Sequence, residues 1–310
     1  MKTLTAFCDL NLCPVSYDMA TWLVRAMFER DQAGCDALHV VLVPKEDGLG
    51  GFARYWGEHD EAATRWRLWH IVMPVIQLAG KNTTVALAPT RGDAEWIRMG
   101  LDSHEHCRVE DMQPVWWPEG RAHFMGPLVL AARDGKPIPK LAATEAARRH
   151  VASWFGDDDG PLVTLTTRTQ TTHPDRNSNP EAWALLKEWL EPRYNVVHLR
   201  DTGIALSSEI GRWAVLDPDL RLALYERAAM NLIGNNGPST LMRFSSAPFM
   251  TFGEAPTDGW RQHYRKYFHM EPGDQLPWCR PDQRLVYEPD TFEVMSGKFK
   301  EWEETIGRGR

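Results

Sequence analysis

Residues 228–254 read AAMNLIGNNGPSTLMRFSSAPFMTFGE, and the order of apolar runs and turn residues in this stretch decides the fold class. A first apolar run ends at the turn 235–238 (NNGP), a helical pattern follows, and a second apolar run closes at 252–254 (FGE). Gly237 permits a sharp turn, and Pro238 is tolerated in the first turn of a helix, where its missing N–H is not needed. The stretch predicts a strand, a tight turn, a helix and a second strand.

The start of the predicted helix is a candidate binding site. Backbone N–H groups in the first turn of a helix have no partner within the helix. Together with the hydroxyls of Ser239 and Thr240, such free donors would form a binding site for a diphosphate. The alternative is a plain strand-to-helix turn, because Asn-Gly-Pro is common turn chemistry.

The same alternation of strand and helix extends along the rest of the chain. Strands are predicted at 3–10, 37–45, 83–89, 161–168, 194–201, 229–235 and 248–254. Helices are predicted at 17–34, 61–79 with a kink or restart at Pro74, 143–155, 180–192, 218–228, 237–247 and 290–307. Strands that alternate with helices indicate parallel sheets with right-handed crossovers. The sequence predicts an α/β protein with two doubly wound, Rossmann-like lobes that face each other across a cleft.

The length of 310 residues favours about two domains. The turn-rich segment 156–161 (GDDDGP) marks the boundary between them. We expect an N-terminal lobe over 1–155, a C-terminal lobe over 156–290 and a charged amphipathic helix over 291–310.

Composition excludes several classes of function. The net charge of −7 gives no general attraction for nucleic acid or for an anionic membrane. The N-terminus does not read as a signal peptide, and no apolar stretch is long enough for a transmembrane segment. Five scattered cysteines without a CxxC pair favour reduced thiols and a cytoplasmic location.

A second constellation of polar residues lies at 164–183, TLTTRTQTTHPDRNSNPEAW. Arg168 stands at the carboxyl end of a predicted strand, and Arg176 follows in the loop. A guanidinium at either position could pair with a phosphate and neutralise the charge that develops on a nucleoside-diphosphate leaving group. Alternatively the loop is solvated and Arg176 caps nearby carboxylates.

Residues 228–254 resemble the donor-side segment of GT-B glycosyltransferases, especially of the heptosyltransferase family. A strand, an Asn/Asp-x-Gly-Pro turn, a helix and a proline-led strand that ends in Phe-Gly recur there in this order, and a looser pattern covers 160–254. In its general pattern the segment is also similar to the nucleotide-sugar lobe of bacterial fucosyltransferases and sugar-nucleotide epimerases. It departs from the heptosyltransferase pattern at Asn236 and at Ser239-Thr240, where an acidic residue and a Met-His pair are usual.

The resemblance implies an inverting, metal-independent glycosyltransferase of bacterial cell-surface polysaccharide biosynthesis. A nucleotide sugar would be the donor, a saccharide or glycoconjugate the acceptor, and no cofactor would be needed; an oligomer is left open. The N-terminal lobe would bind the acceptor and the C-terminal lobe the donor. The implied donor-binding residues are Arg168, Arg176, Asn235, Asn236, Gly237, Pro238, Ser239, Thr240 and Glu254, the last at a ribose or sugar hydroxyl.

Transfer with inversion needs a base that takes the proton of the acceptor hydroxyl. In GT-B enzymes this base usually comes from the N-terminal lobe, often from the loop after its first strand. Asp9 and Asp18 are the acids at this place in the present sequence. Each has a structural alternative: Asp18 as a helix N-cap and Asp9 as a carboxylate that stabilises a turn.

Three other motifs carry weaker signals. The acidic run 157–160 (DDDG) favours a solvated turn over a metal site, and 104–107 (HEHC) has no second cluster at zinc spacing. The glycine-rich 48–51 (GLGG) indicates a mobile loop on the acceptor side. Two rival functions stay open: an epimerase or hydrolase that uses His173 and Glu254, and a non-catalytic protein that only binds a nucleotide sugar.

Overall fold

The computed structural model describes residues 2–45, 61–103, 112–115, 117, 124–156, 160–170, 174–201 and 209–305. The chain divides into two compact units, Met1–Ala142 (unit 1) and Ala143–Arg310 (unit 2). None of the helices in the described ranges combines the length and the apolar character needed to cross a bilayer.

Unit 1 is built on a four-stranded sheet with the order β3-β2-β1-β4, in which every pair is parallel. Its strands are β1 (Thr3–Asp9), β2 (Ala37–Val43), β3 (Thr83–Leu87) and β4 (Met112–Val115). Its helices are α1 (Met19–Gln32), α2 (Glu61–Arg67), α3 (Met73–Gln77), α4 (Arg91–Ser103) and α5 (Met125–Arg133). A π-helical turn, Leu68–Val72, joins α2 to α3, so the predicted interruption near Pro74 is a π-helical turn followed by a new helix.

Unit 2 is built on a five-stranded sheet with the order β6-β5-β7-β8-β9, and again every pair is parallel. Its strands are β5 (Leu162–Thr167), β6 (Asn195–Arg200), β7 (Met230–Gly234), β8 (Phe249–Phe252) and β9 (Gln283–Leu285). Its helices are α6 (Glu145–Ser153), α7 (Pro180–Leu190), α8 (Glu209–Leu216), α9 (Pro218–Arg227), α10 (Ser239–Arg243), α11 (Asp258–His263) and α12 (Phe292–Thr305). Shorter turns are the 3₁₀ turn Pro174–Arg176 and the π-helical turn Tyr264–Phe268.

The predicted α/β class with parallel sheets is confirmed. All seven predicted strands are present, with ends within two residues of the predicted ones. The sequence pattern missed β4 and β9, which both lie at sheet edges. Proline within a run of residues argues against a strand, so the pattern around Pro114 did not predict β4, although proline is tolerated in an edge strand. At three residues, β9 is too short to show an alternating pattern.

The division between the units lies before the predicted boundary at 155. The reason is that α6 packs against α9 and therefore belongs to unit 2. Thr144, which caps α6, donates from Oγ1 to Asp219 Oδ2 at 2.6 Å. Arg148 and Glu226 form an ion pair at 2.8 Å. These contacts tie α6 to α9 of unit 2, so the break in the fold precedes α6 rather than following it.

The C-terminal helix α12 is part of the core of unit 2. Met295, Phe299 and Trp302 are buried in one cluster with Trp183 and Leu186 of α7. Burial of large aromatic side chains makes a major contribution to the stability of such a core.

Candidate functional site

The carboxyl ends of β5, β7 and β8 carry most of the predicted donor-binding residues. These strands are neighbours in a parallel sheet, so their ends meet at one edge. In open α/β sheets, ligands bind at this edge. A hydrogen bond from Asn235 Nδ2 to the carbonyl oxygen of Gly253, 3.4 Å long, links the segment after β7 to the segment after β8.

Arg176 connects the loop after β5 to the turn after β7. Its Nε and Nη2 donate to the carbonyl oxygen of Asn235 at 3.2 and 2.9 Å, and Nη2 also donates to Asn235 Oδ1 at 3.1 Å. On its other side the guanidinium lies over the indole of Trp260 in α11, with Cζ 5.0 Å from the ring centroid. The structure therefore brings Arg176 and Asn235 together, as the predicted site requires, and adds Trp260, which the sequence analysis did not assign to the site.

Arg168 is buried at the end of β5, with 5% of its surface exposed. Its backbone N–H donates to Ser178 Oγ at 2.9 Å, and its Nη1 donates to Asn177 Oδ1. Burial and the neighbouring charge of Arg176 lower the pKa of Arg168 from its usual value. The pKa of an arginine is so high that the side chain stays charged. The charges of Asp201 and Asp175 act on the pKa of Arg168 in the opposite direction, so positive and negative groups lie together at the carboxyl edge of the sheet.

The loop after β5 is held in place by an amide network. Asn177 Oδ1 accepts from the N–H of Gln170, and Asn177 Nδ2 donates to the carbonyl oxygen of Gln170, both at 2.8 Å. Gln170 Nε2 donates to Asp201 Oδ1 at 3.0 Å at the end of β6. At Gly234 a β-carbon would lie 2.9 Å from Ser178 Oγ, so only glycine lets this loop approach β7 so closely. No local pattern in the sequence predicts these contacts.

The turn after β7 is closed by its own hydrogen bonds, and the prediction of free donors at Ser239 and Thr240 is wrong. The N–H of Ser239 donates to Asn236 and that of Thr240 to the carbonyl oxygen of Gly237. Both hydroxyls also donate to the turn, Ser239 Oγ to Asn236 O and Thr240 Oγ1 to Gly237 O, at 2.7 Å each. Helix α10 has only five residues and begins with i,i+3 hydrogen bonds. These bonds use the backbone N–H groups that would otherwise have no partner in the first turn of the helix.

The side chain of Asn236 keeps an unused donor in this turn. Its side chain is 2% exposed, and its Nδ2 is buried without a hydrogen-bond partner in the described part of the chain. A buried donor without a partner costs about 1–3 kcal/mol. Gly237 is half-buried, and Pro238 is buried directly before α10. The turn thus offers the carboxamide of Asn236, whereas the backbone N–H groups and hydroxyls of Ser239 and Thr240 are used within the turn.

Glu254 is not open to a ligand hydroxyl, contrary to the prediction. The residue is fully buried, and its two carboxylate oxygens accept from Arg243 Nη2 and Tyr264 Oη. Burial and the charge of Glu254 raise the pKa of Tyr264 well above its usual value, so Tyr264 remains a donor. Glu254 therefore balances the buried charge of Arg243. The rival epimerase needed this acid, and its other residue, His173, lies outside the described residues.

The two candidate bases of unit 1 differ in their surroundings. Asp9, at the end of β1, accepts from Arg91 Nη1 and Nη2 through its two carboxylate oxygens at 2.7 Å, and 7% of its side chain is exposed. It would have to leave Arg91 to reach an acceptor hydroxyl. Asp18 is half-buried; its Oδ2 accepts from Ser16 Oγ at 2.9 Å, and its side chain does not cap α1. Asp18 thus occupies the N-cap position of α1, as the structural alternative predicted, but its side chain makes no capping hydrogen bond.

Metal-binding groups do not assemble in the described part of the chain. No three His, Cys, Asp or Glu side chains there come together in a group that could hold a metal ion. The motifs at 48–51, 104–107 and 157–159, as well as residues 171–173, lie outside the described ranges.

No protein-family model matches the chain, and no curated protein does. Three solved structures similar to it are glycosyltransferases. ADP-heptose LPS heptosyltransferase II of E. coli is 14% identical with a TM-score of 0.43, over 92% of this chain and 90% of that chain. A family 9 glycosyltransferase of Veillonella parvula is 11% identical with a TM-score of 0.46, over 98% and 90%. The dodecameric, iron-containing heptosyltransferase TibC of enterotoxigenic E. coli, in complex with ADP-D-β-D-heptose, is 11% identical with a TM-score of 0.45, over 98% and 76%.

Proposed function

We propose that the chain is a GT-B glycosyltransferase that uses a nucleotide-sugar donor and binds the diphosphate of that donor in unit 2. The observation that supports this most is the pair of guanidiniums, Arg168 and Arg176, at the carboxyl edge of the sheet. Arginine binds phosphate oxygens through two parallel hydrogen bonds. The strand-turn-helix-strand order of residues 228–254, on which the resemblance depends, is present as β7, α10 and β8.

In the proposed reaction, the bond between the sugar and the diphosphate breaks, and negative charge develops on the leaving group. Arg168 and Arg176 stabilise this charge, because positive groups held in place before the reaction need no reorganisation. Asn236 Nδ2 supplies one further donor to a phosphate oxygen. The arginines provide the positive charge, so the proposed transfer is metal-independent and needs no cofactor.

Unit 1 supplies the acceptor side in this proposal. We assign the base to Asp18, because both oxygens of Asp9 are bound to Arg91. A saccharide or glycoconjugate hydroxyl loses its proton to Asp18 as it attacks the anomeric carbon, which inverts the configuration. The four described cysteines, Cys8, Cys13, Cys35 and Cys279, are free thiols, which fits a cytoplasmic setting.

The test is incubation of the chain with a panel of nucleotide sugars, with and without saccharide acceptors, and measurement of released nucleoside diphosphate. Slow transfer of the sugar to water makes the assay independent of the acceptor. We expect release from at least one donor, and a loss of release in Arg168→Gln but not in Arg193→Gln, a control on the surface of the same unit. Formation of an isomeric nucleotide sugar would favour the epimerase. Binding of a donor without any release would favour the non-catalytic protein.

A further inference from the structure

A cavity of about 260 Å³ opens in unit 2 beyond the end of β8. Glu254 and Ala255 border it on the strand side, and Arg261 and Arg265 on the helical side. The rest of the wall consists of Glu271, Pro272 and Tyr287. Neither Arg168 nor Arg176 lines it. The cavity therefore has a lining of its own, and the proposed reaction does not use it.

The backbone around this cavity adopts unusual conformations. Among the described residues other than glycine, only Ala255 (φ 47°) and His269 (φ 54°) have a positive φ. Ala255 lines the cavity, and His269 ends the π-helical turn Tyr264–Phe268, which carries Arg265. Strained backbone of this kind clusters at ligand sites, and so do single π-helical turns. Two separate features of the backbone thus point to the same place.

Glu254, in the wall of the cavity, belongs to a buried ionic cluster. Glu254 is held by Arg243 and Tyr264, so its charge is balanced inside the protein. Arg243 is 6% exposed, and its Nε is buried without a hydrogen-bond partner in the described part of the chain. Glu254, the member of this cluster that lines the cavity, is therefore held in place by its two partners.

Arg261 and Arg265 lie one helical turn apart and face the same side. Arg261 Nη1 contacts Asp258 Oδ1 at 3.3 Å, where the side chain of Asp258 is 89% exposed. Arg265 Nε contacts Glu271 Oε2 at 2.7 Å, where the side chain of Glu271 is 65% exposed. Ion pairs this exposed contribute little, so both guanidiniums can exchange their partners for an oxyanion of a ligand.

We infer that this cavity is a second ligand site, which binds a small anionic group, a carboxylate or a phosphate monoester, carried by a saccharide. The anionic part of this inference depends on Arg261, Arg265 and the cavity between them and Ala255. The saccharide part rests on the proposed function, in which the substrates are sugars. An acidic or phosphorylated sugar would place its charged group against the two arginines and its ring against Tyr287.

Calorimetric titration of the full chain with four probes tests the inference: glucuronate, glucose 6-phosphate, inorganic phosphate and neutral glucose. We expect at least one charged sugar to bind, at least tenfold more tightly than glucose. The double variant Arg261→Gln/Arg265→Gln should lose at least tenfold in affinity for that sugar, while Arg193→Gln binds it unchanged. Glucuronate and glucose 6-phosphate separate the carboxylate from the phosphate. Equal affinity for glucose, or an unchanged affinity in the double variant, would overturn the inference.

A further titration separates this inference from the proposed function. Arg168→Gln should lose nucleoside-diphosphate binding and keep its affinity for the charged sugar. If the double variant loses both ligands together, the cavity belongs to the donor site and the second site is overturned. If the wild-type chain binds the charged sugar but no nucleoside diphosphate, the proposed function fails and the anion site stands. Equal affinity for inorganic phosphate and glucose 6-phosphate would overturn the saccharide part alone.

Discussion

The guanidinium of Arg176 lies between the indole of Trp260, 5.0 Å from Cζ to the ring centroid, and the carbonyl oxygen of Asn235, 2.9 Å from Nη2. A planar side chain held on one face and at its edge has few rotamers left. Helix α11 therefore helps to set the direction in which Arg176 presents its charge, although Arg176 and Trp260 are 84 positions apart in the sequence.

Replacement of Trp260 should weaken the binding of a nucleoside diphosphate. A cation–π contact contributes about 0.5–2 kcal/mol, so Trp260→Leu is expected to lower the affinity by about 2- to 30-fold. Trp260→Phe keeps a ring under the guanidinium and should keep most of the affinity. Calorimetry measures this, with Trp213→Leu as a control because Trp213 is 58% exposed on α8. Equal losses in the two leucine variants would mean that the stack does not position Arg176.

We expect a catalytic role for Asp18 and a structural role for Asp9. Asp18→Asn is expected to lower kcat by about 10²- to 10⁴-fold, the usual contribution of a general base, with donor affinity retained. Asp9→Asn breaks a paired carboxylate that is 7% exposed, and should lower the free energy of unfolding by about 1–3 kcal/mol. Steady-state kinetics and urea unfolding measure the two effects. A variant at Asp9 that is inactive but fully stable would reverse the assignment.

Loss of the charge on Glu254 should destabilise the protein strongly. Glu254→Gln leaves Arg243, whose side chain is 7% exposed, without its buried counter-charge. Breaking a buried pair in this way costs about 3–5 kcal/mol. The control is Glu191→Gln, because Glu191 pairs with Lys187 at the surface and such pairs contribute about 1 kcal/mol or less. Urea unfolding of both variants measures the effect. Similar losses in the free energy of unfolding would show that the buried pair of Glu254 and Arg243 stabilises the fold no more than a surface pair does.

Stability at high pH should depend on Tyr194. Burial and the hydrogen bond to Glu303 raise the pKa of Tyr194 to about 12, against about 10 in an unfolded chain. Because the pKa is higher in the folded state, the contribution of Tyr194 is complete below pH 10 and is lost as the pH rises from 10 towards 12. The free energy of unfolding should therefore fall more steeply over this range in the wild type than in Tyr194→Phe. Parallel curves for the two proteins would contradict the expectation.

The strands and most helices of this chain follow from local patterns, but the site follows only in part. Buried parallel strands such as β2 and β5 are continuous apolar or β-branched runs, and proline and aspartate mark the start of α9. The position of Arg168 at the carboxyl edge of the second sheet was predictable, because the ends of parallel strands meet at one edge. The partners of the other charged groups were not, since Asp9 meets Arg91, and Arg176 meets Trp260, across long stretches of sequence. Pairs of this kind leave no periodic signal in the chain.

The most direct test is a thermal-shift titration of the chain with ADP, UDP, GDP and CDP at millimolar concentration. A ligand that binds only the folded state raises Tm, and about ten times its Kd should raise it by about 2–4 °C. We predict such a rise for at least one of the four, and its near-complete loss in Arg168→Gln. No rise with any of the four, or a rise that Arg168→Gln leaves unchanged, would contradict a diphosphate site at Arg168 and Arg176.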